Sequence, residues 1–215
     1  MSIIIERFNK IKFNINSLKP IKPVNIVAVS KTFSLSHIQP LINHGHNHFG
    51  ENKVQEAVSK WREVKKNSQL NLHMIGKLQS NKVREAIQIF DYIHSLDNQK
   101  LADVIAKRQI ELNKNIKYFI QVNIGNELQK SGIPVDELDA FYNYCTVEKN
   151  LKIVGLMIIP PNDKNTKKYF NSLNELSTSL ALQETSMGMS ADYLDAVRYG
   201  STYVRIGSSI FGDRS

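Results

Sequence analysis

A lysine stands directly after a run of apolar residues that favour β-structure. The segment "IVAV" at 26–29 is followed by Ser30 and Lys31. The ammonium group of a lysine at the end of a buried strand is partly desolvated, and this favours the neutral amine that attacks a carbonyl group. Lys31 is therefore a candidate for a Schiff base with an aldehyde. The alternative is a surface lysine without a chemical role, as most lysines are.

Two short segments near the C-terminus combine glycine, serine and free backbone N–H groups. "MGMSAD" contains Met189 and Ser190, and "RIGSSIFG" contains Gly207 and Ser208. Backbone N–H groups and hydroxyls at such positions can hold an anion, and in a (β/α)₈ barrel the loops after strands seven and eight often bind phosphate. Each segment alone is an ordinary loop. Together they favour a phosphate site.

Arg205 lies two residues before Gly207, so the two residues share one face of a β-strand. If that face is the interior of a barrel, the guanidinium group needs an acceptor. The nitrogen of a pyridine ring is one such acceptor, and a structural ion pair with Asp192 or Asp213 is the alternative. A Schiff-base lysine and a phosphate site at one end of the barrel suggest pyridoxal 5′-phosphate (PLP) as cofactor, and the ring of PLP contains such a nitrogen.

The histidines favour no metal site. His44, His46 and His48 alternate along the chain, and His73 and His94 stand in predicted strands. No cysteine or carboxylate has metal-ligand spacing relative to them, so they are interpreted as ordinary loop and core histidines. The sequence also has no phosphate-binding P-loop, no dinucleotide-binding glycine motif and no hydrolase nucleophile elbow.

Eight short β-like runs alternate with amphipathic helical segments after a first helix at about 3–16. Strict alternation predicts parallel strands, and eight repeats favour a single α/β domain over 1–215, a (β/α)₈ TIM-type barrel with an extra N-terminal helix. An open doubly wound sheet is the alternative. The predicted strands are 25–30, 48–52, 71–76, 92–97, 117–125, 151–159, 185–189 and 202–207.

The overall charge does not indicate a nucleic-acid partner. The formal net charge is +8, from 28 basic and 20 acidic side chains, but the excess is spread along the chain. We therefore interpret it as solvated surface and expect neither nucleic acid nor a membrane as partner. No apolar run has the length of a membrane helix, the N-terminus does not resemble a signal peptide, and the single Cys145 excludes an internal disulfide. A cytoplasmic location is expected.

Eight blocks of the sequence, taken together, resemble the pyridoxal phosphate homeostasis protein family, and they occur in the family's order. The resemblance implies a single barrel similar to the N-terminal domain of bacterial alanine racemase. The blocks are "AVSKT" (28–32), "FGENKVQE" (49–56), "HMIGKLQSNK" (73–82), "HSLD" (94–97), "KSGI" (130–133), "GLMIIPP" (155–161), "SMGMSAD" (186–192) and "VRIGSSIFGDR" (204–214).

The resemblance also implies a role for each matching position. Lys31 would hold PLP as a Schiff base, Arg205 would face the pyridine nitrogen, and Asn52 would lie near the ring. The phosphate would be bound by Met189, Ser190, Gly207 and Ser208. Four further residues would lie at or near the same mouth: His73, Gln79, Asn81 and Lys130.

A carrier of PLP is favoured over an enzyme. An arginine partner weakens the ring as an electron sink, and the racemase's second domain, which supplies an opposing tyrosine base, is not expected in a chain of this length. We expect no catalytic residue, a monomer, and a role in intracellular vitamin B6 homeostasis, with indirect effects on amino-acid and keto-acid metabolism and with apo forms of PLP enzymes as acceptors. The alternatives are a small racemase-like enzyme with Lys130 or Tyr199 as base, and a barrel that binds phosphosugars.

Overall fold

The chain folds into eight parallel strands that close into a barrel, as predicted. A computed structural model describes residues 2–66, 68–127, 129–163 and 165–213, so Arg214, at the end of the last quoted block, lies outside the described residues. The barrel closes where Asn25 of the first strand pairs with Tyr203 of the last. The strands are β1 (Asn25–Val29), β2 (His48–Glu51), β3 (Asn71–Met74), β4 (Tyr92–Leu96), β5 (Lys117–Gln121), β6 (Ile153–Met157), β7 (Glu184–Ser186) and β8 (Tyr203–Ile206).

A helix precedes β1 and at least one helix follows each strand. Two 3₁₀ turns, Ser80–Lys82 and Val135–Glu137, lead into α4 and α6, and a π-helical turn, Tyr144–Glu148, extends α6. The helices are α1 (Ile3–Ser17), α2 (Leu35–Asn43), α3 (Val54–Lys66), α4 (Val83–Ile89), α5 (Gln99–Glu111), α6 (Leu138–Asn143), α7 (Thr166–Ser179), α8 (Tyr193–Arg198) and α9 (Ser208–Phe211).

The predicted strands were too long at their C-terminal ends, most clearly in β5. The apolar run from 117 to 125 suggested one strand, but β5 ends at Gln121. Val122 is buried and forms an isolated bridge with Ile133, so it packs under the following loop. Apolar residues that cover the barrel end cannot be distinguished from strand residues by composition.

The helices bury the apolar faces that their sequences predict. In α3, Val54, Ala57 and Trp61 are buried against the barrel, and burial of large side chains such as Trp61 stabilises the fold by about 1.5–3 kcal/mol each. Ser2 accepts a hydrogen bond at the start of α1, and Asn98 does the same for α5. Among the described residues, no helix is both long and apolar enough to cross a membrane.

The barrel interior mixes apolar and polar side chains. An apolar cluster of Val27, Tyr92, Phe119, Met157 and Tyr203 fills part of it. Histidine, serine and arginine side chains from β3, β4, β7 and β8 share the same space. Since buried polar groups require hydrogen-bond partners, these side chains must bond to one another.

Candidate functional site

A cavity of about 540 Å³ opens at the C-terminal ends of the strands, where barrels of this type carry their functional sites. Its volume is in the range of cavities that hold small molecules. The structure brings together on it all seven residues that were predicted to contact a cofactor: Lys31, Asn52, Met189, Ser190, Arg205, Gly207 and Ser208.

Lys31 is held in place by the residues on either side of it. The carbonyl oxygen of Ser30 accepts a hydrogen bond from Lys60 Nζ at 2.8 Å. The backbone N–H of Thr32, which has a φ of 70°, donates to Glu56 Oε1. Helix α3 carries both Lys60 and Glu56, so the turn that presents Lys31 is tied to α3 on both sides.

Glu51, the last residue of β2, binds the residues that hold the Lys31 turn in place. One carboxylate oxygen, Oε1, accepts hydrogen bonds from Ser30 Oγ at 2.8 Å, Lys60 Nζ at 3.0 Å and Trp61 Nε1 at 2.9 Å. Burial raises the pKa of Glu51, and the hydrogen bond from Trp61 and the charge of Lys60 oppose that rise. Sequence reasoning missed Glu51 and Lys60. Glu51 lies within the motif "FGENKVQE" (49–56), and Lys60 lies four residues after Glu56, the last residue of that motif, in α3.

The loops after β7 and β8 meet beside Lys31. The backbone N–H of Ser209 donates to Ser190 Oγ at 3.4 Å and so joins the two loops. The N–H of Met189 donates to Asp192 Oδ1 at 2.6 Å, which fixes the first loop at the start of α8. Ser190 and Ser208 present hydroxyl groups on the cavity wall. These loops therefore offer hydrogen-bond donors to an anion.

Arg205 lies on the barrel interior and reaches the floor of the cavity. The residue is 5% exposed, and its guanidinium group donates to Ser186 Oγ at 2.7 Å and to the carbonyl oxygen of Ile158 at 2.8 Å. The guanidinium group has more N–H donors than these two bonds use. Burial lowers the pKa of Arg205 to about 10, and the charge of Asp192 opposes that shift.

The ion pair that was the alternative for Arg205 does not form with either aspartate. Within the part of the chain that the structure describes, Asp192 and Asp213 are both outside ion-pair distance of the guanidinium group, whose bonds go to Ser186 and Ile158. Asp213 lines the cavity mouth instead. Arg205 is thus a buried cation held by neutral acceptors.

His73 was expected at the cavity mouth, and the structure corrects this. The side chain is fully buried inside the barrel, between His48 and His94. The reason is that β3 ends at Met74, so His73 is an inward-facing residue within the strand and does not belong to the loop above it.

The other three residues expected near the mouth have different positions. Gln79 lines a second cavity of about 410 Å³, which shares Asn52 with the first. Asn81 is exposed in the 3₁₀ turn before α4 and lines neither cavity. Lys130, in the loop after β5, forms an ion pair with Glu127 and is not among the residues on the first cavity.

Several residues on the cavity wall were not anticipated. They are apolar or small residues, of which five lie at or after a strand end and one, Gly212, follows α9. They are Val29, Phe33, Ile75, Ile159, Ala191 and Gly212. Among the residues with described positions, no group of three His, Cys, Asp or Glu side chains could hold a metal ion.

Comparison with known proteins decides the family. The sequence profile of the "Alanine racemase, N-terminal domain" family matches residues 7–215. A pyridoxal phosphate homeostasis protein from Aquifex aeolicus is 39% identical over 198 residues, which are 88% of this chain and 86% of the relative. One from Synechocystis is 38% identical over 200 residues, 89% and 92% of the two chains. The chain belongs to the pyridoxal phosphate homeostasis protein family.

Solved structures agree with this assignment. PipY of Synechococcus elongatus, a structure with PLP bound, superposes with a TM-score of 0.85 at 34% identity and covers 98% of this chain and 100% of that one. Alanine racemase from Corynebacterium glutamicum superposes with a TM-score of 0.72 at 17% identity, over 97% of this chain and 60% of the enzyme. The racemase shares the barrel fold with this homeostasis-family chain.

Proposed function

We propose that this chain binds PLP in the cavity at the C-terminal end of its barrel and acts as a carrier in vitamin B6 homeostasis. The observation that carries the proposal is the convergence of Lys31, Arg205 and two serine-containing loops on one cavity. The names of its homologues and the PLP in the PipY structure support the choice of ligand.

The chemistry of the residues fits the parts of PLP. Lys31 supplies an amine, and the PLP aldehyde would condense with it to a Schiff base, forming a C=N bond and releasing water. Ser190, Gly207 and Ser208 provide hydroxyl and backbone donors for the phosphate. Arg205 provides N–H groups that can donate a hydrogen bond to the ring nitrogen, and Asn52 provides a side-chain amide on the same cavity wall.

The same residues favour a carrier over an enzyme. Of the described residues on the cavity wall, Lys31, Arg205 and Asp213 have titratable side chains. Arg205, with a pKa of about 10, donates to a ring nitrogen and does not protonate it, so the ring gains little as an electron sink. A racemase also needs a base opposite the lysine, and neither Lys130 nor Tyr199 lines the cavity.

The binding proposal is tested by absorbance of the purified protein mixed with PLP, before and after borohydride. Wild type should show a visible band that borohydride abolishes, and Lys31→Ala should lack it. Lys53→Ala is the matched control, because Lys53 is an exposed lysine next to Asn52. If Lys31→Ala keeps an identical reducible band, Lys31 is not the attachment point. If wild type binds phosphosugars and shows no band, the barrel serves another ligand.

The carrier proposal is tested separately by proton exchange. The protein is incubated in deuterated water with PLP and with each common L- and D-amino acid, and exchange of the α-proton is followed by NMR. A carrier should give no exchange above that of free PLP. Exchange that depends on the protein would establish the racemase-like alternative.

Transfer completes the proposal. Its partners are apo forms of PLP-dependent enzymes, and the protein acts as a monomer in the cytoplasm. PLP-loaded protein is mixed with an apo-enzyme, and the return of enzyme activity is followed. Activity should return faster than with free PLP alone at the concentration that dissociates from the loaded protein at equilibrium. Sedimentation of the loaded protein at about 24.5 kDa would support the monomer.

A further inference from the structure

A continuous line of hydrogen bonds crosses the barrel interior and ends on Arg205. His48 Nδ1 lies 2.9 Å from His73 Nε2, and His73 Nδ1 lies 2.9 Å from His94 Nε2. His94 Nδ1 lies 2.8 Å from Ser186 Oγ, which accepts from Arg205 at 2.7 Å. We call these five residues the interior chain. It runs from the first residue of β2, at the N-terminal end of the barrel, to the cavity floor.

Arg205 sets the direction of every bond in the interior chain. A guanidinium group only donates, so Ser186 Oγ accepts from it. The Ser186 hydroxyl is completely buried, and among the described residues its one other neighbour within hydrogen-bond distance is His94 Nδ1. The hydroxyl proton must therefore be donated to His94 Nδ1, because the opposite direction would leave a buried O–H without an acceptor, at a cost of about 1–3 kcal/mol.

The tautomers of the histidines follow from that first bond. With Nδ1 as acceptor, neutral His94 carries its proton on Nε2 and donates it to His73 Nδ1. His73 in turn carries its proton on Nε2 and donates it to His48 Nδ1. Burial holds the pKa of both His73 and His94 well below the usual value, and this keeps both rings neutral.

Packing keeps the two buried rings in these positions. The His73 ring stacks on Tyr92 with centroids 4.3 Å apart, and the His94 ring stacks on Phe119 at 4.3 Å. The rings cannot turn over without disturbing Tyr92 and Phe119 of the apolar cluster in the barrel interior. The bonds of the interior chain are therefore geometrically fixed.

We propose that Ser186 and His94 are positioning residues that aim the guanidinium group of Arg205 at the ring nitrogen of the cofactor. This inference rests on the proposed function, since it assumes PLP in the cavity. The bond to Ser186 and the bond to the Ile158 carbonyl hold two sides of the guanidinium group, so its remaining N–H groups are directed to the cavity. His94 makes the Ser186 bond one-directional by taking the hydroxyl proton.

The first experiment uses the protein without PLP and so does not depend on the proposed function. Two-bond ¹H–¹⁵N correlation NMR of ¹⁵N-labelled wild type reports which ring nitrogen of each histidine is protonated. His73 and His94 should both be protonated at Nε2 alone. Protonation of either buried ring at Nδ1, or averaging in either, would overturn the proposal.

The second experiment compares two substitutions of His94. His94→Asn keeps an oxygen acceptor near the position of Nδ1, whereas His94→Leu removes the acceptor. Both are titrated with PLP and with 1-deazapyridoxal phosphate, in which a C–H group replaces the ring nitrogen. We expect His94→Asn to bind PLP within about 3-fold of wild type and His94→Leu to bind it roughly 10-fold more weakly. Neither variant should lose affinity for the deaza analogue.

The analogue distinguishes positioning from a general structural effect. If His94→Leu loses affinity for PLP and for the deaza analogue equally, His94 supports the fold and not the direction of Arg205. If His94→Leu binds PLP as wild type does, the interior chain has no effect on the site. Ser186→Ala should repeat the selective loss, which provides a second variant if His94→Leu does not fold. Wild type that binds neither compound would contradict the proposed function and leave the NMR result standing.

Discussion

Lys60 Nζ lies 2.8 Å from the carbonyl oxygen of Ser30, the residue that precedes Lys31. The same ammonium group lies 3.0 Å from Glu51 Oε1 and 3.0 Å from Glu56 Oε1. A single partly buried lysine thus joins the end of β1, the end of β2 and helix α3. This contact and the hydrogen bond from the Thr32 N–H to Glu56 Oε1 together tie the turn that presents Lys31 to α3.

Replacing Lys60 should destabilise the protein strongly. Lys60→Met would leave the buried carboxylate of Glu51 without its cation, and breaking such a pair costs about 3–5 kcal/mol. The free energy of unfolding in urea measures this. Lys66→Met is the matched control in the same helix, because the pair of Lys66 with Glu63 is exposed and should contribute little. Equal losses in both variants would show that Lys60 does not have this role.

The loop that carries Met189 and Ser190 should depend on Gly188. Gly188 has a φ of +89°, and a Cβ there would lie 2.5 Å from Ala196 Cβ. Gly188→Ala should therefore cost roughly 2–5 kcal/mol and weaken PLP binding. Gly45 has a similar φ of +86°, but a Cβ added there would have no atom within 4 Å. Gly45→Ala should therefore lower the free energy of unfolding by about 1 kcal/mol. Urea unfolding and PLP titration of both variants check this, and a larger loss in Gly45→Ala would contradict it.

Stability should fall between pH 6.5 and pH 4. Burial lowers the pKa of His46 from 6.5 to about 4, so in this window the unfolded chain takes up a proton that folded His46 does not. Stability is therefore lost as the pH falls, by about 3 kcal/mol for this residue. The free energy of unfolding, measured in urea at pH 7.5, 5.5 and 4.5, should therefore fall by about 3 kcal/mol less in His46→Gln than in wild type. A wild-type slope in His46→Gln would refute the assignment.

Ser190 and Ser208 should contribute to the binding of the phosphate group of PLP and not to the binding of its aldehyde. Ser190→Ala with Ser208→Ala removes two hydroxyls from the cavity wall, and each hydrogen bond to a charged group contributes about 1.5–3 kcal/mol. The double variant should bind PLP roughly 100-fold or more weakly, whereas its affinity for pyridoxal, which has no phosphate, should stay near that of wild type. Titrations by absorbance measure both. Parallel losses for the two compounds would place the phosphate elsewhere.

The part of the site that lies on loops was predictable from the sequence. Residues that follow different parallel strands meet at one end of a barrel whatever the details of packing. Lys31, Ser190 and Ser208 could therefore be placed together once the strands were counted. The position of His73 at the mouth was implied by the family resemblance and not by this rule, and it was wrong, because His73 lies within β3 and its side chain is buried inside the barrel.

The contacts inside the barrel were not predictable. His94 and Ser186 are 92 residues apart and 2.8 Å from one another, and no periodicity in either strand indicates the other. Glu51 and Lys60 pair across a strand and a helix, and their contact depends on the crossing of α3 over β2. The contact of His94 with Ser186 is set by the stagger of the closed barrel, which is a property of all eight strands together.

The sequence alone determined the element order, the parallel strands and the end of the barrel at which the residues after the strands meet, since these follow from local periodicity and from the direction of the chain. The tertiary structure alone decided that Arg205 is held by Ser186 and Ile158, that His73 and His94 line up behind it, and that Lys60 supports Lys31. The physical reason is that hydrogen bonds between distant segments form only after barrel closure brings their donors and acceptors within 3 Å or so of one another.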